Sequence, residues 1–292
     1  MVFKSLLIVV FSACVCYGTL SDVFLDEEWE DFKRVHGKVY SQLEEPERKL
    51  IWRQNLDFIN KHNIEADLGH HSYRLGMNKY GDMVRCIFVF DSFYIQKYIL
   101  WDLLTLNSSM KCSFITYKMP QSFVFNLNEA SCNLESHGCQ GGLPEKAFKY
   151  IKDNGGIDTE ESYPYVGKDE FKCKYRPSGV GAKCTGMVHI PSGDELKLQK
   201  AVASVGPISV AIDASVKTFH LYKEGVYNEK RCRTRNLDHA VLVVGYGVYQ
   251  GQDYWLVKNS WSKSWGMDGY IMMSRNKDNQ CGIASEALYP TV

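Results

Sequence analysis

The sequence predicts an α+β protein, with helices gathered towards its amino-terminal part and strands towards its carboxyl-terminal part. Three observations predict this. Between residues 21 and 62, Phe24, Trp29, Phe32, Val35, Leu50, Trp52, Leu56 and Ile59 recur at roughly helical spacing in a charged background. From Val188 onward, short apolar or alternating runs punctuated by Gly, Pro and Asn read as antiparallel strands. A chain of 292 residues that is 45% hydrophobic and 23% charged can bury a sizeable core.

Taken in order, residues 1–18 read as a secretory signal, with Lys4 as the positive start, Ser5 to Val15 as the apolar stretch and Cys16-Tyr17-Gly18 at the cleavage position. That stretch is too short to cross a bilayer. Gly37-Lys38 marks a break between two helices. Glu44, Arg48, Trp52, Asn55, Ile59 and Asn63 follow in steps of three and four, which puts them on one helical face. Val84 to Met119 has neither clean helical nor clean strand periodicity, and Arg85, Asp91, Lys97 and Asp102 argue against a membrane span there. The same segment holds a glycosylation sequon, Asn107-Ser108-Ser109.

Pro144 opens a predicted helix that runs to about Asn154, with Gly155-Gly156 after its end. The predicted strands are Ile208 to Ile212, Ala240 to Tyr246, Tyr254 to Lys258 and Tyr270 to Ser274. Lys+Arg and Asp+Glu balance at 34 each, so net charge gives no argument for a nucleic-acid partner or an anionic membrane surface. Ten cysteines fit an oxidising compartment, and Cys14 and Cys16 would leave with the signal. The other eight lack the paired spacing of a structural zinc site, which leaves disulfides as the better reading and no metal expected.

Several motifs carry a resemblance. Asp238-His239-Ala240-Val241-Leu242-Val243-Val244-Gly245-Tyr246-Gly247 and Val257-Lys258-Asn259-Ser260-Trp261 look like the histidine and asparagine blocks of papain-like cysteine proteases. The Glu44 to Asn63 series resembles the helical signature of a cathepsin L-type propeptide, with Trp52 where phenylalanine is usual. Gly76-Met77-Asn78-Lys79-Tyr80-Gly81-Asp82 resembles that propeptide's second motif, with Tyr80 for phenylalanine. Gly138-Cys139-Gln140-Gly141-Gly142-Leu143 and Glu161-Ser162-Tyr163-Pro164-Tyr165 continue the likeness. It implies a papain-like two-lobe fold with a strand-rich C-terminal lobe and an incomplete helical N-terminal lobe, preceded by a helical propeptide. The expected divisions are signal 1–18, inhibitory propeptide 22–83, an unmatched segment 84–125 and a truncated peptidase domain 126–292.

Catalysis of this kind needs a thiolate, a histidine that stabilises it and later protonates the leaving amine, and a carboxamide that orients the imidazole. By resemblance His239 is the acid/base, Asn259 the orienter, and Trp261 a shield that keeps water from their hydrogen bond. The nucleophile is missing. Counting back about 130 to 150 residues from His239 reaches about 89 to 109, where no cysteine stands. Cys86 and Cys112 fall just outside and lack the flanking glycine and the following Trp or Tyr. Gln96 does not match the glutamine that supplies an oxyanion donor in the family.

The resemblance also pairs Cys132 with Cys173 and Cys232 with Cys281. It leaves Cys139 without its usual partner, to be free or joined to Cys86, Cys112 or Cys184. Gly141 and Gly142 would present backbone to an extended substrate. Leu143, Pro144, Ala211, Leu237, Asp238 and Ala240 match substrate-binding positions, and Glu286 matches the floor of the main specificity pocket. There its carboxylate would admit Arg beside Leu or Phe, or else point to solvent.

The resemblance implies a cysteine-type endopeptidase made as a zymogen for the lysosome or extracellular space. It would be a monomer without cofactor, acting on proteins and peptides and inhibited by its own propeptide. Three readings fit the missing block: an imperfect gene model or splice product of an active enzyme, a non-catalytic homologue that inhibits proteases or binds peptides, or a scaffold retained for structure.

Overall fold

The computed structural model of the chain describes residues 24–83, 132, 142–164 and 173–292. The signal, the sequon and the segment 84–125 lie outside the described residues. Two compact units divide the chain, one ending at Phe58 and regaining Met77–Met83, the other made of Ile59–Gly76 and residues from Val84 onward.

In the first unit, helix α1 (24–36) stops at Gly37, whose φ of 62° suits a residue without a Cβ. Helix α2 (Glu45–Asp67) begins here and continues into the second unit. Trp29, Phe32 and Trp52 form a buried aromatic cluster, with Trp29 5.5 Å from Phe32 and 5.6 Å from Trp52. The buried Trp52, Asn55 and Ile59 confirm the face expected from their spacing. Asn55 donates to the Gly81 carbonyl at 2.7 Å, and the fully buried Asp82 accepts from Lys38 at 3.0 Å and from the Tyr40 hydroxyl. A buried carboxylate left without such partners would be costly, so these bonds fix the loop that carries it.

The second unit is built on an eight-stranded sheet. Its strands are β1 (Tyr73–Leu75), β4 (Gly186–Ile190), β5 (Ile208–Ile212), β6 (Tyr222–Tyr227), β7 (His239–Tyr249), β8 (Gln252–Lys258), β9 (Tyr270–Ser274) and β10 (Ala287–Thr291). Their spatial order is β1-β6-β9-β8-β7-β5-β10-β4, antiparallel except for β6 and β9. Strands β2 (Ile157–Asp158) and β3 (Val180–Ala182) form a separate pair.

Every other residue of the central strands faces a dry core that includes Ile208, Val210, Ile212, Val241, Val243, Trp255 and Val257. Strands β7 and β8 extend beyond their predicted ends because Gln250 and Gly251, both at positive φ, close them into a tight hairpin. Helix α3 (Pro144–Asn154) has Pro at its start and Gly155 at φ 79° at its end, as its sequence requires. Its buried Phe148 and Ile151 pack with Ile157, Cys184 and Leu288. Cys184 is a free, buried thiol that donates to the Phe148 carbonyl at 3.3 Å, and burial raises its pKa. Helices α4 (Glu195–Ser204) and α5 (Lys217–His220) complete the described part of this unit.

Candidate active site

His239 is the first residue of β7, and Asn259 directly follows the last residue of β8. Hairpin pairing of Leu242 with Lys258 brings the two ends together. His239 Nε2 donates to Asn259 Oδ1 at 3.0 Å. The same oxygen accepts the Ser260 N–H at 2.8 Å, which fixes which end of the carboxamide faces the ring. Asn259 N–H in turn donates to the Gly269 carbonyl at 2.9 Å. The other imidazole nitrogen, Nδ1, is buried and makes no hydrogen bond among the described residues.

His239 is 3% exposed, and burial pushes its pKa down to about 4, with the Asn259 hydrogen bond opposing only part of that shift. Aromatic side chains contribute to the burial. The Trp261 ring lies 4.9 Å from the imidazole and Phe219 presents its edge at 5.7 Å. His220 stacks on Trp261 at 5.0 Å, while Trp265 Nε1 donates to the carbonyls of Phe219 and His220. Phe219 and His220 belong to no motif that would reveal them. The aromatic density of residues 219–227 was the available signal.

The approach to His239 is pinned from below. Asp238 donates its N–H to the Ile212 carbonyl at 3.1 Å, and its carboxylate accepts the Ala214 N–H at 2.8 Å. Asp213, fully buried, accepts from Arg233 Nε at 3.0 Å and Nη2 at 3.1 Å. Burial alone would raise the Asp213 pKa, but the Arg233 and Ser215 hydrogen bonds outweigh it and hold it at about 2. Cys232 is bonded to Cys281, and Cys132 to Cys173.

Of the expected substrate-binding residues, Ala211 and Ala240 face each other across β5 and β7, and Ala211 N–H donates to the Glu286 carbonyl at 3.1 Å. Leu237 lies against Gly282, where an added Cβ would come within 2.6 Å of it. The Glu286 side chain is exposed and makes no hydrogen bond among the described residues. Gly142, Leu143 and Pro144 stand at the start of α3, and no hydrogen bond or strand pairing joins them to the Ala211 group. Gly141, Cys86, Cys112, Cys139 and Gln96 lie outside the described residues. No cluster of metal-ligating side chains occurs among the described residues.

A histidine held by a carboxamide under an indole has the geometry of an oriented acid/base. The chain matches a family model described as papain family cysteine protease over residues 116–291, and one described as cathepsin propeptide inhibitor domain (I29) over residues 29–85. It is 43% identical to cathepsin L of Sarcophaga peregrina, with 92% of this chain and 93% of that protein covered. With cathepsin K of Mus musculus it is 39% identical, and 99% of each is covered. These alignments span 320 and 333 positions, more than the 292 residues of this chain, so both relatives carry stretches that it lacks. The solved structure of digestive procathepsin L2 proteinase from Tenebrio molitor larval midgut superposes with a TM-score of 0.80 at 34% identity, covering 92% of this chain and 100% of that one.

Proposed function

The chain belongs to the papain family of cysteine proteases, as a cathepsin L-like zymogen with its own propeptide inhibitor domain, and from that premise we propose that it keeps the acid/base half of the catalytic set but does not cleave peptide bonds as it stands. In this family's chemistry a thiolate attacks the scissile carbonyl and an imidazolium gives its proton to the leaving amine. His239 is the residue proposed for that proton, Asn259 for its orientation and Trp261 for the exclusion of water.

The observation that carries the reading is the state of His239. With its pKa near 4 the ring is neutral above that pH, its one proton is on Nε2 towards Asn259, and Nδ1 has none to give to a leaving amine. A neighbouring thiolate would favour the imidazolium, and no cysteine with the family's flanking residues stands at the distance the family requires. The test is hydrolysis of a fluorogenic peptide by the purified chain, before and after limited proteolysis removes the propeptide. We expect none; turnover that His239→Ala abolishes would overturn the reading.

One observation favours a second role, that of a protease inhibitor acting in trans. The propeptide has a buried network in which Asn55 holds Gly81 and both Lys38 and Tyr40 hold Asp82. Tight inhibition of a related active cathepsin by the whole chain would support that role, and no inhibition at micromolar concentration would remove it. We further propose signal cleavage after residue 18, residence in the lysosome or extracellular space, and a monomeric state. Glu286 is proposed to make the specificity site accept Arg. In an enzyme with its nucleophile block restored, equal Arg acceptance by wild type and Glu286→Ala would sink that idea.

A further inference from the structure

The balance of charge over the whole chain conceals a local excess in the loop that joins β6 to β7. From Lys230 to Arg235, four of six residues are basic: Lys230, Arg231, Arg233 and Arg235. The side chains of Arg231 and Arg233 are 63% and 50% exposed, whereas the carboxylates that hold them, Glu229 and Asp213, are 8% and 0% exposed. The cations therefore face solvent and their counter-charges face the core. Each guanidinium is gripped through Nε and Nη2, Arg231 by Glu229 at 3.0 and 2.8 Å and Arg233 by Asp213 at 3.0 and 3.1 Å. Nη1 of both makes no hydrogen bond among the described residues. Lys230 and Arg235 are exposed and form no ion pair among the described residues. Asp238, at the far end of the loop, turns its Oδ1 back to the Ala214 N–H.

The shape of the loop is fixed from three sides. Cys232 is bonded to Cys281, the Gln280 side chain donates to the Glu229 carbonyl at 2.5 Å, and the Ser285 hydroxyl donates to the Thr234 carbonyl at 2.8 Å. Arginines already held in place lose little further freedom when they bind an anion.

We propose that this loop is a docking surface for a linear sulfated polysaccharide. Guanidinium N–H groups match an oxyanion in charge and in hydrogen-bond geometry. The loop has no aromatic side chain on which a base could stack, which disfavours a single-stranded nucleic acid. None of its residues is an exposed large apolar side chain, so it has nothing to bury in a membrane and no anchor for a protein partner. A loop stapled by a disulfide belongs to an oxidising compartment outside the cytosol, where sulfated polysaccharides are abundant polyanions. The proposal goes beyond the peptidase reading, since docking needs neither turnover nor removal of the propeptide.

The test is fluorescence anisotropy of a labelled, fully sulfated heparin-type hexasaccharide titrated with the purified full chain. Binding should saturate at about 0.1 M salt and weaken at least about tenfold at about 0.5 M, where screening is stronger. Lys230→Gln combined with Arg235→Gln breaks no hydrogen bond of the fold and should bind at least about tenfold more weakly than wild type. Lys183→Gln combined with Lys200→Gln, at exposed lysines of other segments, should stay within about twofold. If the first pair lowers the urea midpoint, Thr234→Glu, which sets a carboxylate among the cations, replaces it with the same expectation. The hexasaccharide stripped of its sulfates should not bind, and an oligothymidylate of equal charge should bind at least about tenfold more weakly. Absence of saturable binding to the sulfated sugar, equal loss in both paired variants, or an oligothymidylate that binds as tightly as the sugar would each overturn the proposal.

Discussion

His239→Gln should make the protein less sensitive to acid. The folded chain holds the His239 pKa at about 4, chiefly through burial. An unfolded chain would show the ordinary value near 6.5, a difference of about 2.5 units at about 1.4 kcal/mol each. A depressed base is stabilising while neutral, so its contribution is whole above about pH 6.5 and drains away as the pH falls through about 4. The loss over that window is about 3 kcal/mol, little reduced by solvent because the ring is 3% exposed. Urea unfolding at about pH 7 and about pH 4, fitted as two states with a common m-value, gives the stability of each protein. The wild-type advantage over His239→Gln should shrink by about 3 kcal/mol between those conditions. A difference constant to within about 0.5 kcal/mol would show that the imidazole is not held neutral by its surroundings.

Asp213→Asn should cost about 2 kcal/mol in urea unfolding near neutral pH, because the wild-type carboxylate, held at about 2 by Arg233 and Ser215, is stabilising above about pH 4 and loses that effect as the pH falls through about 2. The exposed Arg233 makes this figure smaller than burial of Asp213 alone would suggest. Cys232→Ser opens a loop closed over 49 residues and should lower stability by about 4 kcal/mol, read as a shift in the urea midpoint. Gly225→Ala would set a Cβ 2.5 Å from the Ser72 carbonyl at a φ of 89°. It should raise amide hydrogen exchange at Gly76 and Val226, which bond to Leu221 and Ser72, and unaltered exchange would show that the pairing tolerates the methyl.

Much of the fold was legible because its signals are local. Strands β5 and β9 have their predicted bounds, and both are short runs rich in β-branched or bulky apolar residues. The buried face of α2 follows from the three- and four-residue steps through Trp52, Asn55 and Ile59. Strand β1 was not legible, since three residues carry no alternation and its partner, Gly225 opposite Tyr73, lies far along the chain. Strand β10 was hidden by Pro290, which lacks an N–H and ordinarily argues against a sheet interior. It is tolerated because β10 pairs with β5 only at Ala287 and Leu288 and faces β4 alone beyond them.

At the candidate site, motif spacing named both His239 and Asn259, which the hairpin then brings to 3.0 Å. Of the aromatic cover, the motif named Trp261, whereas Phe219 and His220 were missed because they reach the site from α5, with no fixed spacing to either block. The stacked imidazoles of His62 and His71 were missed for a similar reason. Their pairing depends on a turn that folds residue 71 back onto the end of α2, and that is invisible to periodicity.

The central claim is that the chain carries an oriented histidine without a nucleophile to serve. Its most direct test is a thiol-directed active-site probe of the epoxide or vinyl sulfone class, applied to the purified chain from acid to neutral pH and read by mass spectrometry. The account predicts no covalent adduct that depends on His239. A stoichiometric adduct on one cysteine, lost in His239→Ala and accompanied by loss of peptide hydrolysis, would contradict it.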